Sequence, residues 1–350
     1  MTRTPATVVV VTHDSAEHLG PTLAALAADE RGPAEIVVVD NASSDGTVAL
    51  AREAGARVVE RATNDGFAAA CHDGVRAASE ESVVLLNPDA VPVPGWLPPL
   101  VAALDVPGVG AAMATLELED RPGHFNSSGG AITASGMAWA TDVGDPVPDD
   151  EAPTVDVPFA SGAAMAIRRS TWDRVGGMRS EFFLYHEDTD LGWRLSMAGL
   201  RSVRVSASRV RHRYDFGRNP GKLGMIERNR LLMTRSVYRA STRLLLAPVL
   251  IGTGLGTFTV ALRDGWWREW FTARREAWGM RRGNAEWRRR IATTRRVGDA
   301  EILRTRANGF GSMSQVKPPR GASAVAVLFS GWIRLVVPLV GLLDRRADLD

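Results

Sequence analysis

Ile36-Val37-Val38-Val39-Asp40-Asn41-Ala42-Ser43-Ser44-Asp45-Gly46-Thr47 changes character partway along its length. It opens as a β-branched run, apolar on both faces, as a strand covered by helices on either side must be. A polar, acidic turn follows, and Thr47–Ala54 then reads as a helix. Ser43, Ser44 and Asp45 are good N-cap residues, and a cap or turn accounts for each of them taken alone.

The same unit recurs on both sides. Val8–Val11, Arg57–Glu60 and Ser82–Leu86 are further strand candidates, and Leu19–Ala28, Ala68–Ala78 and Trp96–Leu104 further helices. Strands alternating with helices predict βαβ units and a mostly parallel sheet. Ligands of such sheets bind beyond the carboxyl ends of the strands. Those ends here are Thr12-His13-Asp14, then Asp40 to Gly46, then Asn87-Pro88-Asp89. Three polar clusters in register point to one composite site. Residues 105–160 are rich in Gly, Pro and Asp and read as irregular loops with short strands. Beyond them, Arg169–Gly176 and Leu191–Ala198 read as helices ended by Gly176-Gly177 and Gly199.

Composition sets the outer limits. The chain has 350 residues, 45% hydrophobic and 23% charged, which excludes disordered, collagen-like and disulfide-rich classes. Cys71 is the only cysteine, so neither an intramolecular disulfide nor a Cys-based zinc cluster can form. Met1 to Thr12 lacks the pattern of a secretory signal, and a cytoplasmic catalytic part is expected. The net charge of +2 hides a split: residues 1–200 hold 12 Lys+Arg and 29 Asp+Glu (12 − 29 = −17), and residues 201–350 hold 30 and 11 (30 − 11 = +19).

A basic half suits a phosphate-bearing partner, either nucleic acid or anionic lipid. Leu244–Leu262 carries no charge over 19 residues and lies between Arg243 and Arg263. That is close to a membrane-spanning length. Trp266, Trp267, Trp270, Phe271, Trp278 and Trp287 follow, interleaved with arginines, as on an interfacial helix. Ala322–Leu343 is apolar except for Arg334 and is expected to break at Pro338, giving a membrane-dipping or re-entrant helix. The soluble alternatives are a buried helix for 244–262 and a nucleic-acid surface for the Trp/Arg stretch. Membrane association is favoured because the three features adjoin and no nucleic-acid motif occurs; no nucleic-acid partner is expected. The division expected is an α/β domain over 1–215 and a helical region over 216–350, with apolar segments 244–262 and 322–343 and an amphipathic stretch 266–306.

Three groups carry chemistry. Asp89 in Asn87-Pro88-Asp89 can hold Mg²⁺ or Mn²⁺ that also grips a diphosphate, although Asn-Pro-Asp alone is a turn. Glu187-Asp188 stand at a helix start, where a carboxylate is either a cap or a rigidly held base. His212 is a structural residue or a second metal ligand.

Taken together, the motifs resemble the inverting family 2 glycosyltransferases, rhamnosyltransferase-like branch, with the nucleotide-diphospho-sugar transferase fold called GT-A. The resemblance runs from Thr7 to Tyr214 through five ordered pieces: Val8–Asp14, Val37–Thr47, Asn64-Asp65-Gly66-Phe67-Ala68, Leu85–Ala90, and Gly176-Gly177 with Phe182–Leu195. It implies that Thr12, His13 and Asp40 hold base and ribose, and that Asn64 and Gly66 line ribose and diphosphate, with Asn41, Asp45, Phe67 and Asn87 in the same donor site. Asp89 and His212 would bind Mg²⁺ or Mn²⁺, Asp188 would be the general base, and Glu187 would bind the acceptor. The resemblance further implies a dTDP-rhamnose or UDP-sugar donor and a lipid-linked or cell-envelope polysaccharide acceptor, used at the cytoplasmic side of the membrane.

The sequence departs from the family pattern at two places. Asn87 stands where the usual Asp-x-Asp metal motif has its first carboxylate, which weakens metal binding, and His72 replaces an Asn common in relatives. A sugar-nucleotide pyrophosphorylase is disfavoured because Thr12 to Glu17 lacks a glycine-rich, cationic phosphate loop. The non-catalytic alternative is a membrane scaffold or glycan-binding module on a degenerate transferase fold. Oligomeric state is not legible.

Overall fold

The computed structural model describes residues 2–148, 152–213, 221–306 and 322–347. The chain forms two compact units: Met1–Gly130 with Ala140–Leu195 and Leu200–Phe216, and Ala131–Trp139 with Ser196–Gly199 and Gly217–Asp350. The boundary expected at 215/216, like Tyr214 at the end of the resemblance, lies outside the described residues.

In chain order the elements are β1 (Thr4–Thr12), α1 (Ala16–Ala28), β2 (Pro33–Asp40), α2 (Thr47–Glu53), β3 (Arg57–Glu60) and α3 (Phe67–Ala77). Next come β4 (Ser82–Leu86), β5 (Ala90–Pro92), α4 (Leu97–Ala102), β6 (Val109–Leu118), β7 (Phe125–Ser127), β8 (Gly130–Ile132) and β9 (Ala138–Ala140). Then follow β10 (Thr154–Val157), β11 (Ala164–Arg168), α5 (Arg169–Val175), α6 (Glu187–Met197) and β12 (Arg201–His212). The main sheet has the order β10-β12-β6-β11-β4-β1-β2-β3, with β5 on β12 and β7 on β6; β8 and β9 pair separately.

Half of the main sheet is the parallel β4-β1-β2-β3 set that the valine runs predict. Val8–Val10, Val37–Val39 and Val83–Leu86 are buried, as strands covered on both faces must be. The other half is mixed: β11 runs antiparallel to β4 and β6, and β12 parallel to β6. Within 105–160, read as irregular loops with short strands, β7 to β10 are such short strands, and β6 is the correction. β6 is a ten-residue strand through the middle of the sheet, almost wholly buried. Its Gly110-Ala111-Ala112-Met113-Ala114 run has weak strand propensity, which burial between two partner strands overrides.

The second unit is helical: α7 (Lys222–Val237), α8 (Ala240–Leu245), α9 (Ala247–Arg263), α10 (Trp267–Gly279), α11 (Arg281–Thr294), α12 (Asp299–Arg306) and α13 (Ala322–Ala347). Two expectations change here. The apolar run 244–262 is divided at Leu246, and the resulting helix, α9, has 17 residues, fewer than the ~20 a bilayer needs. By contrast α13 continues through Pro338, and within it Val325–Arg345, with mean hydropathy 2.0, is long and apolar enough to cross a membrane. Pro338 itself is exposed, but Ile333, Val336, Val337 and Val340 of the same helix are buried, and their packing offsets the backbone hydrogen bond that proline removes.

Candidate active site

Sheet register gathers the polar strand ends on one edge. Thr12 pairs with Asp40, and Val10 with Leu86, so β1, β2 and β4 all finish there. The antiparallel partner β11 starts at the same edge, Ala164 opposite Leu86, which brings Gly162 and Ala163 beside Asn87. The Asn87 N–H donates to the Ala163 carbonyl at 3.0 Å. Pairing of β5 with β12 sets His212 opposite Ala90.

On the β1–β2 side the loops lock each other. Asp40 is buried and accepts from Thr12 Oγ1 (3.1 Å), Ser43 Oγ (2.5 Å) and Ser43 N (2.9 Å). Ser43 Oγ accepts from Asp14 N at 2.9 Å, and Asp14 Oδ1 accepts from Ser44 N at 2.7 Å. Asp14 and Ala42 take positive φ (44° and 61°) to make these turns. Asn41 is buried, and its Oδ1 accepts from Arg61, which also pairs with Asp65 and Asp73. His13 is exposed. Asp45 is used as a cap: Oδ1 accepts from Thr47 N and Oγ1, and Oδ2 accepts from Ala16 N, so one carboxylate ties the starts of α2 and α1. Thr47, first among the causes, holds this carboxyl below its usual range.

The turn into α3 is equally constrained. Asn64 Oδ1 accepts from Gly66 N at 3.0 Å. Gly66 has φ +89°, and a Cβ there would lie 2.3 Å from the Phe183 carbonyl oxygen. Only glycine permits that approach. Phe183, Tyr185 and His186 themselves have φ of 64°, 68° and 73°. Side chains other than glycine rarely adopt this region, and such strain persists only where the surroundings fix it. The strained loop leads directly into Glu187 and Asp188 at the start of α6. The Phe67 ring packs near Gly162.

Asp188 Oδ2 accepts from Gly162 N at 3.3 Å, and Oδ1 from Thr189 N at 2.6 Å. Desolvation raises its pKa, while these N–H groups pull the other way by favouring the charged form. Glu187 is 7% exposed, and its Oε2 has no hydrogen-bond partner among the described residues. Burial first, and the Asp188 charge second, push the Glu187 pKa up to about 8. Of the two carboxyls, Asp188 is therefore the one equipped to hold the charge, and Glu187 the one equipped to hold a proton at neutral pH.

That proton links Glu187 to stability. An unfolded glutamate titrates near ~4.3, so between that value and about 8 the folded state binds a proton that the unfolded state lacks. Stability is full below the lower value and falls as pH rises towards the upper one, by at most about 1.4 kcal/mol per pH unit. Glu187→Gln is expected to flatten the decline of Tm across this window. An unchanged slope in the variant would place the proton elsewhere.

Behind the loop lies a buried anchor. Arg194 Nε donates to Asp190 Oδ2 at 2.7 Å, Nη1 to Val175 O at 2.7 Å and Nη2 to Gly177 O at 2.6 Å. His72 completes it: Nε2 donates to Met178 O at 2.6 Å, and Nδ1 accepts from Trp172 Nε1 at 3.3 Å. His72 thus positions the turn that precedes the strained residues 183–186.

Across the edge, His212 Nε2 is 3.4 Å from Asp89 Oδ1 and accepts from Asn87 Nδ2 at 3.3 Å, while Nδ1 donates to Asn126 Oδ1 at 3.1 Å. In that tautomer the Nε2 lone pair meets the Asn87 amide, and the Asp89 carboxylate lies alongside, so an imidazole nitrogen and a carboxylate oxygen stand side by side as candidate ligands. An N–H donated to an outer partner is also how metal-binding histidines are oriented. One carboxylate and one imidazole, beside an edge open to phosphates, fit a Mg²⁺- or Mn²⁺-type ion that keeps substrate oxygens as ligands. No cluster of three or more His, Cys, Asp or Glu that could hold a metal occurs among the described residues.

Asn126 and Gly162 are absent from the sequence-based set of site residues. Asn126 belongs to β7, too short to show a period, and tertiary pairing alone brings it to His212. Gly162 carries a faint signal, a glycine in the small-residue run Ala160-Ser161-Gly162-Ala163-Ala164.

A model of Glycosyl transferase family 2 matches residues 7–175. The chain is 29% identical, over 61% of its length and 78% of the relative's, to an N-acetylglucosaminyl-diphospho-decaprenol L-rhamnosyltransferase of Mycobacterium tuberculosis. Among solved structures it resembles GalNAc-T7 with UDP, GalNAc and Mn²⁺, with TM-score 0.57 and 17% identity over 68% of this chain and 48% of that one. It also resembles the mannosyltransferase PcManGT of Pyrobaculum calidifontis in complex with GDP-Man and Mn²⁺, with TM-score 0.50 and 20% identity over 84% and 85%. At these identities the two structures bear on the fold alone, which is GT-A-like.

Proposed function

We propose, from the match of residues 7–175 to glycosyl transferase family 2, an inverting transfer of a sugar from a nucleotide-diphospho-sugar to a lipid-linked or cell-envelope polysaccharide acceptor. The enzyme is a glycosyltransferase of rhamnosyltransferase-like type. dTDP-rhamnose or a UDP-sugar is the donor we favour, and the mycobacterial relative's name supports a rhamnosyl group and a polyprenyl-diphosphate acceptor. The non-catalytic alternative is set aside by the family.

The observation that carries this reading is the link across the sheet edge. The Gly162-Ala163 segment touches both Asn87, through the Ala163 carbonyl, and Asp188, through the Gly162 N–H. Asp89 with His212 and Asp188 are thereby fixed relative to each other by backbone. In this reading Asp188 takes the proton of the acceptor hydroxyl as it attacks the anomeric carbon from the face opposite the leaving diphosphate. One base on that face gives single displacement with inversion. Glu187, beside it, is buried with its pKa raised to about 8, and so keeps the negative charge of the pair on Asp188 while it lines the acceptor side. Thr12, His13, Asp40, Asn41, Asn64 and Phe67 face the donor, and Gly66 and Asp45 shape the turns around it. Asp89 and His212 would hold Mg²⁺ or Mn²⁺. Bound there, the ion offsets the charge gathering on the nucleoside diphosphate as it leaves.

Titration calorimetry tests the donor half. Affinity for dTDP- or UDP-sugars is expected to rise when Mn²⁺ is added, and Asp89→Ala is expected to abolish that rise. An undiminished response in the variant would move the ion elsewhere. We place the enzyme at the cytoplasmic side of the membrane, held through the basic second unit; the exposed apolar residues of α13 support this.

A further inference from the structure

Arg239, Arg243, Arg288, Arg295 and Arg296 line one cavity of about 530 Å³ in the second unit, and no acidic residue lines it. Its walls are α8, α11 and the turn before α12. Two of the arginines are answered from behind: Arg295 pairs with Asp299 at 2.6 Å, and Arg239 with Asp344 at 3.5 Å. Among the described residues no carboxylate pairs with Arg243, Arg288 or Arg296. Arg243 is instead fixed by the carbonyls of Arg235 (2.7 Å) and Tyr238 (3.1 Å). Burial, and then the charges of Arg288 and Arg235, hold its pKa below the ordinary arginine value.

Like charges converging in a hollow repel one another, and a bound anion relieves that repulsion. Guanidinium groups are also the side chains best shaped for phosphate. The volume is in the range of small-ligand sites. The sole aromatic in the lining, Tyr238, is buried with its hydroxyl donating to Ala134 O, so no face is offered for stacking a base, which disfavours nucleic acid.

The cavity adjoins apolar surface. Arg243 and the exposed Leu244 are neighbours on α8, and α13 packs on that helix with Trp332 Nε1 donating to Leu245 O at 2.8 Å. Val327, Leu328, Leu335 and Leu339 of α13 are exposed. Positive charge in a hollow next to an exposed apolar helix matches a molecule with an anionic head and a hydrocarbon tail.

We propose that this cavity binds the phosphate-bearing headgroup of a membrane lipid of net negative charge, with the lipid chains along α13. The proposal deepens the membrane part of the reading above and rests on it. The test is flotation of the full chain with phosphatidylcholine vesicles, with and without about one-fifth phosphatidylglycerol. Combined R288Q and R296Q substitutions remove two exposed, unpaired charges without touching the core. Roughly 30-fold weaker binding to the anionic vesicles is expected, the product of two such charges. R282Q with R289Q, exposed arginines of α11 outside the cavity, remove the same charge and are expected to cost much less. Equal losses in the two double variants would reduce the effect to bulk attraction and overturn the cavity alone. Equal binding to neutral vesicles would overturn a headgroup site, and no vesicle binding at all would overturn the membrane reading with it. Inorganic pyrophosphate or a single-stranded oligonucleotide, bound as tightly as vesicles and lost in R288Q/R296Q, would reassign the cavity to a soluble phosphate or to nucleic acid.

Discussion

Asp188→Asn is expected to leave the fold and donor affinity intact and to lower kcat by about 10²–10⁴-fold, the usual contribution of a positioned general base. The substitution is nearly isosteric. Its amide oxygen can still accept from Thr189 N, which now bonds Oδ1, while the amide nitrogen replaces the Oδ2 that accepts from Gly162 N at 3.3 Å. Besides that longer hydrogen bond, the capacity to take a proton is lost. Donor affinity, read by calorimetry, therefore separates chemistry from binding. Turnover near that of the native protein would remove Asp188 from the role of base. Loss of donor binding along with turnover would show instead that the side chain shapes the donor site. Glu187 is not expected to substitute, because it is buried and its pKa is raised to about 8.

Arg194→Ala is expected to be the most destabilising single change in the first unit. Arg194 is buried, and its guanidinium joins Asp190 to the carbonyls of Val175 and Gly177. Its removal leaves a fully buried carboxylate whose other oxygen has, among the described residues, only Arg179, at 3.8 Å and too far for a hydrogen bond. Losing one member of a buried ion pair costs about 3–5 kcal/mol. In a unit of this size about 3 kcal/mol lowers Tm by ~6–12 °C. The same change frees the 176–178 turn that precedes the strained residues 183–186, so turnover is expected to fall at temperatures where the protein is still folded. A Tm within about 2 °C of the native value would mean that the network is not the anchor described.

Much of the first unit is legible because its strands are covered on both faces. Val8–Val11, Ile36–Val39 and Ser82–Leu86 must be apolar throughout, and a continuous β-branched run is visible without knowing its neighbours. The loops at their ends are legible for the same reason: polar residues stop the runs where the sheet meets water. β6 is not legible, since alanines and a glycine become a central strand only when two partners bury them. Helix α13 is misread at Pro338 because a proline signals a break locally, whereas the burial of Val336, Val337 and Val340 that holds the helix is a long-range matter.

By itself the sequence determined the parallel half of the sheet, the three polar strand ends, the family resemblance and the contrast of an acidic first half with a basic second. Each is written in residues close together in the chain or in bulk composition. The tertiary structure alone decided that His212 stands against Asp89 with its tautomer set by Asn126, and that Gly162 reaches Asp188. It alone gathered five arginines around one cavity. These partners are far apart in sequence, and only strand pairing and helix packing bring them within a hydrogen bond or a shared wall. No local pattern encodes that distance.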